Sequence, residues 1–178
     1  KDGTGLSWAW DRPMISHEYV YLLSKNPRYF YDSAGVLWES AKGPGTERMI
    51  TSVWNIAPSK KVPGIDFHAA YPTQLVEYCL RLGSSVYGAC AQCGAPYKRI
   101  IQVRRTEKGT CIGYKTLGWR KTCSCEGSEI SPCAVLEVHA GSGTTGVVAR
   151  QLGLKCTLID ISEEYAKMAI KRVTEIGK

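Results

Sequence analysis

Residues 134–161 read Ala134-Val135-Leu136-Glu137-Val138-His139-Ala140-Gly141-Ser142-Gly143-Thr144-Thr145-Gly146, then Val-Val-Ala-Arg-Gln-Leu152-Gly-Leu-Lys-Cys156-Thr-Leu-Ile159-Asp160-Ile161. The apolar run from Val135 to Val138 has the character of a buried strand. Gly141 and Gly143 break it with a turn, and a helix is predicted from about Thr144 to Leu152. A second apolar run, Cys156 to Ile159, ends on Asp160. Strand, helix and strand in this order make a β-α-β unit, and the fold class is α/β. The turn gathers backbone N–H groups at a helix N-terminus, where unpaired donors and the helix dipole favour a polar or anionic ligand. Asp160, 19 residues after Gly141, stands where a carboxylate can accept both hydroxyls of a ribose. A nucleoside-bearing cofactor is the expected ligand.

These residues leave its identity open. Gly141, Gly143 and Gly146 satisfy the G-x-G-x-x-G pattern of dinucleotide sites. A dinucleotide oxidoreductase, however, needs a second nucleotide-binding half, and the 18 residues after Asp160 cannot build one. A glycine turn with no ligand is the plain alternative.

The 178 residues suffice for one domain with a small appendage. No run approaches the ~18 consecutive apolar residues of a membrane span, and no signal-peptide pattern opens the sequence. The expectation is a cytoplasmic protein with no membrane partner. The formal charge of +7 favours an acidic partner such as nucleic acid. Four thiolates around one zinc would lower it to about +5, so the excess survives.

There are eight cysteines. Cys90-Ala-Gln-Cys93 and Cys123-Ser-Cys125 are two close pairs with 29 residues between them, a chelating pattern rather than a disulfide framework. The expected ligands of a structural zinc are Cys90, Cys93, Cys123 and Cys125, with Cys111 or Cys133 as possible substitutes for one. Gly94 suits the positive φ of a knuckle turn. Cys79 and Cys156 lie in apolar runs and read as core.

Outside these motifs, Glu18 to Leu23 and Arg28 to Asp32 have strand composition around the turn signal Asn26-Pro27, so 17–32 is predicted as a β-hairpin. Residues 33–47 are rich in Gly and Ser and read as a surface loop. Val53 to Ile56 is short and extended, and 57–64 is a linker. Thr73 to Leu82 has helical spacing, with Thr73 as N-cap and Gly83 at its end. Between the cysteine pairs, Arg99, Arg104, Arg105, Lys115, Arg120 and Lys121 are interleaved with Tyr97, Tyr114 and Trp119. That is either the solvated face of a zinc ribbon or a surface where cations meet phosphates and rings stack. Ser162 is the N-cap of a final amphipathic helix with acids in its first turn.

Three segments in this order resemble the circularly permuted S-adenosylmethionine-dependent DNA amino-methyltransferases. Asp11-Arg12-Pro13 through His17-Glu18-Tyr19 to Asp32 is similar to that family's late-sheet hairpin. Phe67-His68-Ala-Ala-Tyr71-Pro72 with the following helix looks like its cofactor-cover motif. Ala140 to Gly146, with Asp160-Ile161, resembles its cofactor turn and ribose acid. The Cys-x-x-Cys-Gly-Ala-Pro insertion is found in some members. The resemblance covers nearly the whole chain, and the three ordered segments are more specific than the glycine pattern alone. It implies a Rossmann-like class I methyltransferase sheet, incomplete in this chain, with a small zinc-ribbon-like insertion. The expected division is a hairpin and cover helix over 1–89, a zinc-binding insertion over 90–133 and an S-adenosylmethionine-binding part over 134–178.

On this resemblance the cofactor residues are Phe67, His68, Tyr71, Pro72, Glu137, His139, Ala140, Gly141, Ser142, Gly143, Thr144, Thr145, Asp160 and Ile161. The chain departs from the family at Glu137-Val138-His139, where members carry Asp-Pro-Phe or Asp-Pro-Tyr, and at Phe67, where many have His. It also has no Pro-Pro pair anywhere, whereas the family's catalytic motif is a polar residue followed by Pro-Pro and an aromatic. Catalytic residues are therefore unassigned in this chain. His17 and Glu18 read as structural more than as base-pocket residues. The expected protein is the C-terminal part of a larger enzyme or one half of a split one, completed by a missing half, a partner chain or a homodimer. It would methylate cytosine N4, the favoured target, or adenine N6 in double-stranded DNA. The alternative is an inactive zinc-containing DNA-binding module on a degenerate methyltransferase fold.

Overall fold

A computed structural model describes residues 11, 13, 16–40, 45–58, 70–127 and 129–175. Its elements run β1 (Leu37–Glu39), β2 (Glu47–Met49), α1 (Thr73–Gly83), β3 (Ala89–Cys90), β4 (Lys98–Arg105), β5 (Cys111–Arg120), β6 (Ile130–Ser131), β7 (Ala134–Glu137), α2 (Thr144–Gln151), β8 (Lys155–Leu158) and α3 (Glu163–Glu175). The described strands form four two-stranded sheets, and only β7–β8 is parallel.

The β-α-β unit stands where the sequence places it. β7 and β8 pair in the register Val135↔Cys156 and Glu137↔Leu158. Bonds from Ile159 N–H to the Glu137 carbonyl and from Ala140 N–H to the Ile159 carbonyl carry the ladder into the turn. Because side chains alternate along a strand, Val135, Glu137, Cys156 and Leu158 share the half-buried face. Val147, Val148 and Ala149 make α2 the most buried of the three described helices. Burying a side chain of the size of Val148 stabilises by about 1.5–3 kcal/mol. The core cluster of Ala89, Cys133, Ala149 and Leu154 draws in Leu80 from α1 and Val135 and Cys156 from the sheet. The opposite sheet face is bare, with Leu136 64% exposed and Val138 and Ile159 also exposed. A parallel sheet ordinarily has both faces covered.

Three local expectations need correction. Residues 17–32 form no hairpin: they are largely exposed and without regular structure, apart from a bend at Lys25–Arg28. Strand composition describes a side-chain set that fits a half-buried pleated surface, and no described strand lies beside this one to supply it. A two-stranded ladder, β1–β2, spans 37–49 and takes up part of the loop expected over 33–47. It is held by aromatic contacts: the Trp38 indole N–H donates to the Tyr78 hydroxyl at 3.1 Å, and Arg48 lies over the Trp38 ring. The N-cap of α1 is Pro72 rather than Thr73, with no side-chain cap bond. At the other end of α1, the Ser84 N–H and hydroxyl both donate to the Leu80 carbonyl.

The end of the 17–32 segment is nevertheless tied down. The Asp32 N–H donates to the Leu82 carbonyl, and its buried carboxylate pairs with Arg99 at 2.8 Å. Arg99 in turn lies over Trp119, which stacks on Tyr87. Removing one partner of a buried pair strands the other charge, at about 3–5 kcal/mol. Asp32→Ala is expected to lower unfolding stability by about 3 kcal/mol in urea titration. A loss below about 1 kcal/mol would mean that the pair behaves as a surface bridge.

Candidate functional site

The turn between β7 and α2 depends on its glycines. Gly141 (φ 49°) and Gly143 (φ 77°) adopt left-handed backbone that other residues avoid. At Gly143 a Cβ would lie 2.8 Å from the Ala169 Cβ, and at Gly146 one would lie 2.6 Å from Leu158 Cδ1. These absences of a side chain let α3 and β8 lie directly on the turn and on the first turn of α2.

Asp160 closes the turn from the β8 side. Its Oδ2 accepts the Gly141 N–H at 2.7 Å and its Oδ1 accepts the Ser162 N–H at 2.9 Å. The bonds from Ser162 and Gly141 hold its pKa below the usual aspartate value. Each oxygen keeps a lone pair, so the oriented carboxylate can accept further donors. Ile161 beside it is exposed, and the Tyr165 N–H is accepted by the Ser162 hydroxyl as the predicted N-cap.

Glu137 closes the other side. Its Oε2 accepts the hydroxyls of Tyr71 (3.2 Å) and Thr145 (3.0 Å), which also lie 2.7 Å apart, and its Oε1 accepts the His139 N–H. Burial above all, with some help from the Glu137 charge, pushes the Tyr71 phenol up, so it stays protonated and able to donate. Pro72 and Tyr71 thereby bring the start of α1 to the end of β7. The His139 side chain is exposed, while Ala140, Ser142, Thr144 and Thr145 are buried. Phe67 and His68 lie outside the described residues.

The sequence reading missed Arg172. From the last turn of α3 its Nη1 donates to the Ser142 hydroxyl (2.9 Å), the Thr144 hydroxyl (3.1 Å) and the Ser142 carbonyl (3.2 Å). In the sequence it is one cation of an amphipathic helix, and only the helix crossing reveals its target.

The cysteine expectation is met in geometry. The sulfurs of Cys90, Cys93, Cys123 and Cys125 all lie within 4.8 Å of one another. Tetrahedral zinc with Zn–S near 2.3 Å needs sulfurs about 3.8 Å apart, so a slight contraction fits the set to a metal. Cys111 and Cys133 stand apart, the first on β5 and the second in the core. The Gly94 N–H closes the knuckle on the Cys90 carbonyl. N–H groups of Cys93 and Gln92 bring the Cys90 thiol down to about 6, while the neighbouring thiols, that of Cys93 first, push Cys125 up to about 12. Crowded thiols that resist a second negative charge are what a dication relieves.

The basic residues divide by strand face. In β4–β5, Lys98 stands opposite Arg120 and Gln102 opposite Lys115, with Arg104 on the same face. Lys98, Lys115 and Arg120 are exposed and form no ion pair among the described residues. Arg104 pairs with Glu47 at 3.4 Å, and Arg105 donates to the Gly109 carbonyl. Arg99 is held by Asp32, and Lys121 donates to the Cys125 and Gly127 carbonyls beside the cluster. No described helix is long and apolar enough to cross a membrane.

Residues 133–171 match the family model for N6/N4 DNA methylases. The chain is 30% identical over 168 residues to the type II methyltransferase M.SmaI of Serratia marcescens, covering 92% of this chain and 40% of that protein. Against M.Cfr9I of Citrobacter freundii it is 27% identical, covering 92% and 38% respectively. M2.LlaDCHI of Lactococcus lactis subsp. cremoris shares 51% identity over 41 residues. The chain thus spans about two-fifths of the length of the relatives it matches along most of its own length. No solved structure gives a significant match.

Two measurements check the site. The amide shifts of Gly141 and Ser162 should titrate together with a midpoint below 3.8, the ordinary aspartate value. Asp160's bonds would then be intact above that value and lost only as pH falls through the lowered one; a midpoint above 3.8 would contradict the geometry. The purified protein should carry one zinc, released by chelation with a change in Trp119 fluorescence. Cys90→Ser should cut the metal content by most of its value.

Proposed function

We propose that this relative of the type II DNA methyltransferases forms the S-adenosylmethionine shelf of an enzyme that methylates an exocyclic amine of a DNA base, cytosine N4 ahead of adenine N6. The observation that carries the reading is the convergence of Asp160, Glu137 and the left-handed glycines on one turn, inside the residues that match the DNA methylase family. When bound, S-adenosylmethionine supplies a methyl group activated by a positive sulfur. Asp160 receives the ribose hydroxyls, with Ile161 alongside the nucleoside. Gly141 to Thr144 enclose the methionine end, and Glu137 with Thr145 orients it. Phe67, His68, Tyr71 and Pro72 cover the opposite side, next to His139 and Ala140. Acceleration in such a reaction comes mainly from orientation and electrostatics.

The Pro-Pro-aromatic segment that would hold the flipped base is assigned to another polypeptide segment, a partner chain or a second copy. The bare face of β7–β8 supports that assignment, because Leu136, Val138 and Ile159 have the composition of a covered sheet. Zinc on the four cysteines would brace the insertion. The face bearing Lys98, Lys115 and Arg120 would meet DNA phosphates, with Arg104 and Arg105 at the distal end and Arg99 and Lys121 bracing the hairpin from within.

Calorimetric titration of the chain with S-adenosylmethionine, with NAD as control, tests the reading. Micromolar binding that Asp160→Ala abolishes is expected, with NAD silent. DNA binding without S-adenosylmethionine binding would instead support a non-catalytic zinc-containing DNA-binding module. In the DNA titration, Lys115→Ala and Arg120→Ala should each reduce the salt slope by about one.

A further inference from the structure

The strands of the β4–β5 hairpin, Lys98–Arg105 and Cys111–Arg120, contain six lysines and arginines and no acid. Much of the hairpin is already covered. Glu47 pairs with Arg104 and accepts the Tyr114 N–H, and Asp32 and Tyr87 hold Arg99 and Trp119. Between these contacts one stretch stays open. There the register passes from Ile100↔Gly118 to Ile101↔Thr116, so Leu117 is the extra residue of a bulge and has no partner across the ladder. Leu117 is 59% exposed and Ile100 is 40% exposed. Apart from the chain neighbours of Gly118, nothing lies within 4 Å of where a Cβ on it would stand. A missing side chain in a strand leaves room for another molecule to approach the backbone closely.

A bulge re-aims a side chain, and one that served packing would turn an apolar residue inward. This one leaves a leucine in water, beside the exposed cations Lys98, Lys115 and Arg120. The core of a protein–protein contact is depleted in charge, so three cations around one leucine suit such a partner poorly. They suit a polyanion with an apolar interior. In duplex DNA, phosphates line the grooves and base edges form their floor, and apolar side chains set among cations enter them as wedges. We infer that Leu117 is the residue with which the hairpin reaches past the phosphates into a groove of duplex DNA, with Ile100 beside it and the three cations on the phosphates. This rests on the reading above that the basic face meets DNA, and adds the residue that makes the contact no phosphate can provide.

The test titrates the zinc-loaded chain with a fluorescent DNA duplex over a range of salt, and with heparin, a polyanion without bases. Leu117→Ala should weaken duplex binding about fivefold, because it removes part of an apolar contact. The salt slope should stay unchanged, because no phosphate contact is lost; Lys115→Ala, by contrast, lowers it. Heparin affinity should stay within about twofold, and Leu117→Met should keep duplex binding within about twofold. Equal losses for duplex and heparin would reduce Leu117 to a structural role and overturn the inference. An unchanged duplex affinity, or a lowered salt slope, would also overturn it. If Leu117→Ala does not fold, Leu117→Gln is read by the same criteria. An unaltered chain that leaves the duplex unbound fails the DNA reading itself; binding instead to phosphatidylserine vesicles, lost in Leu117→Ala, would assign the patch to a lipid surface and overturn the inference.

Discussion

The seating of α3 on the glycine turn is the contact from which the site follows. Gly143 has no side chain, so Ala169 can approach to a distance that a Cβ would forbid, and Gly146 does the same for Leu158 and Val173. This closeness sets the crossing of α3 over α2 and brings Arg172 to the Ser142 and Thr144 oxygens. It also fixes the end of β8, so Asp160 can bind Gly141 and Ser162 together. The turn, Asp160 and the Arg172 guanidinium are one mechanical unit, because each would shift if α3 moved outward by the width of a methyl group.

A second unit lies earlier in the chain and is built on different physics. The four sulfurs meet where the β3–β6 pair joins the base of β4–β5, an arrangement in which a small fold can rely on metal. The hairpin that leaves it has two unlike faces. One carries Lys98, Lys115 and Arg120, with Lys98 and Arg120 directly opposite each other, an arrangement that costs stability unless an anion lies across it. The other carries Arg99, held by Asp32 and Trp119, and ties the insertion to the segment that ends at α1.

What the sequence revealed followed local chemistry. The β7–α2–β8 unit was legible because its glycines are required by φ and by close approach, and because periodicity changes at Thr144. The cysteine set was legible because chelating spacing is a short-range property. The stretch 17–32 was misread because Tyr19 to Leu23 carry strand side chains, and composition does not tell whether a neighbouring strand exists. The β1–β2 ladder was hidden in glycine- and serine-rich sequence, since its support comes from Trp38 on the distant Tyr78. Arg172 and the Tyr71–Thr145–Glu137 junction were invisible as contacts for the same reason: they join residues 28 to 74 positions apart.

The most direct test of this account is an amide chemical-shift map of the isotopically labelled chain on addition of S-adenosylmethionine. The largest changes should fall on Gly141 to Thr145, Asp160 to Ser162 and Tyr71, with the β4–β5 hairpin unaffected. Changes centred on the cysteine cluster or the hairpin, or none at saturating ligand, would contradict it.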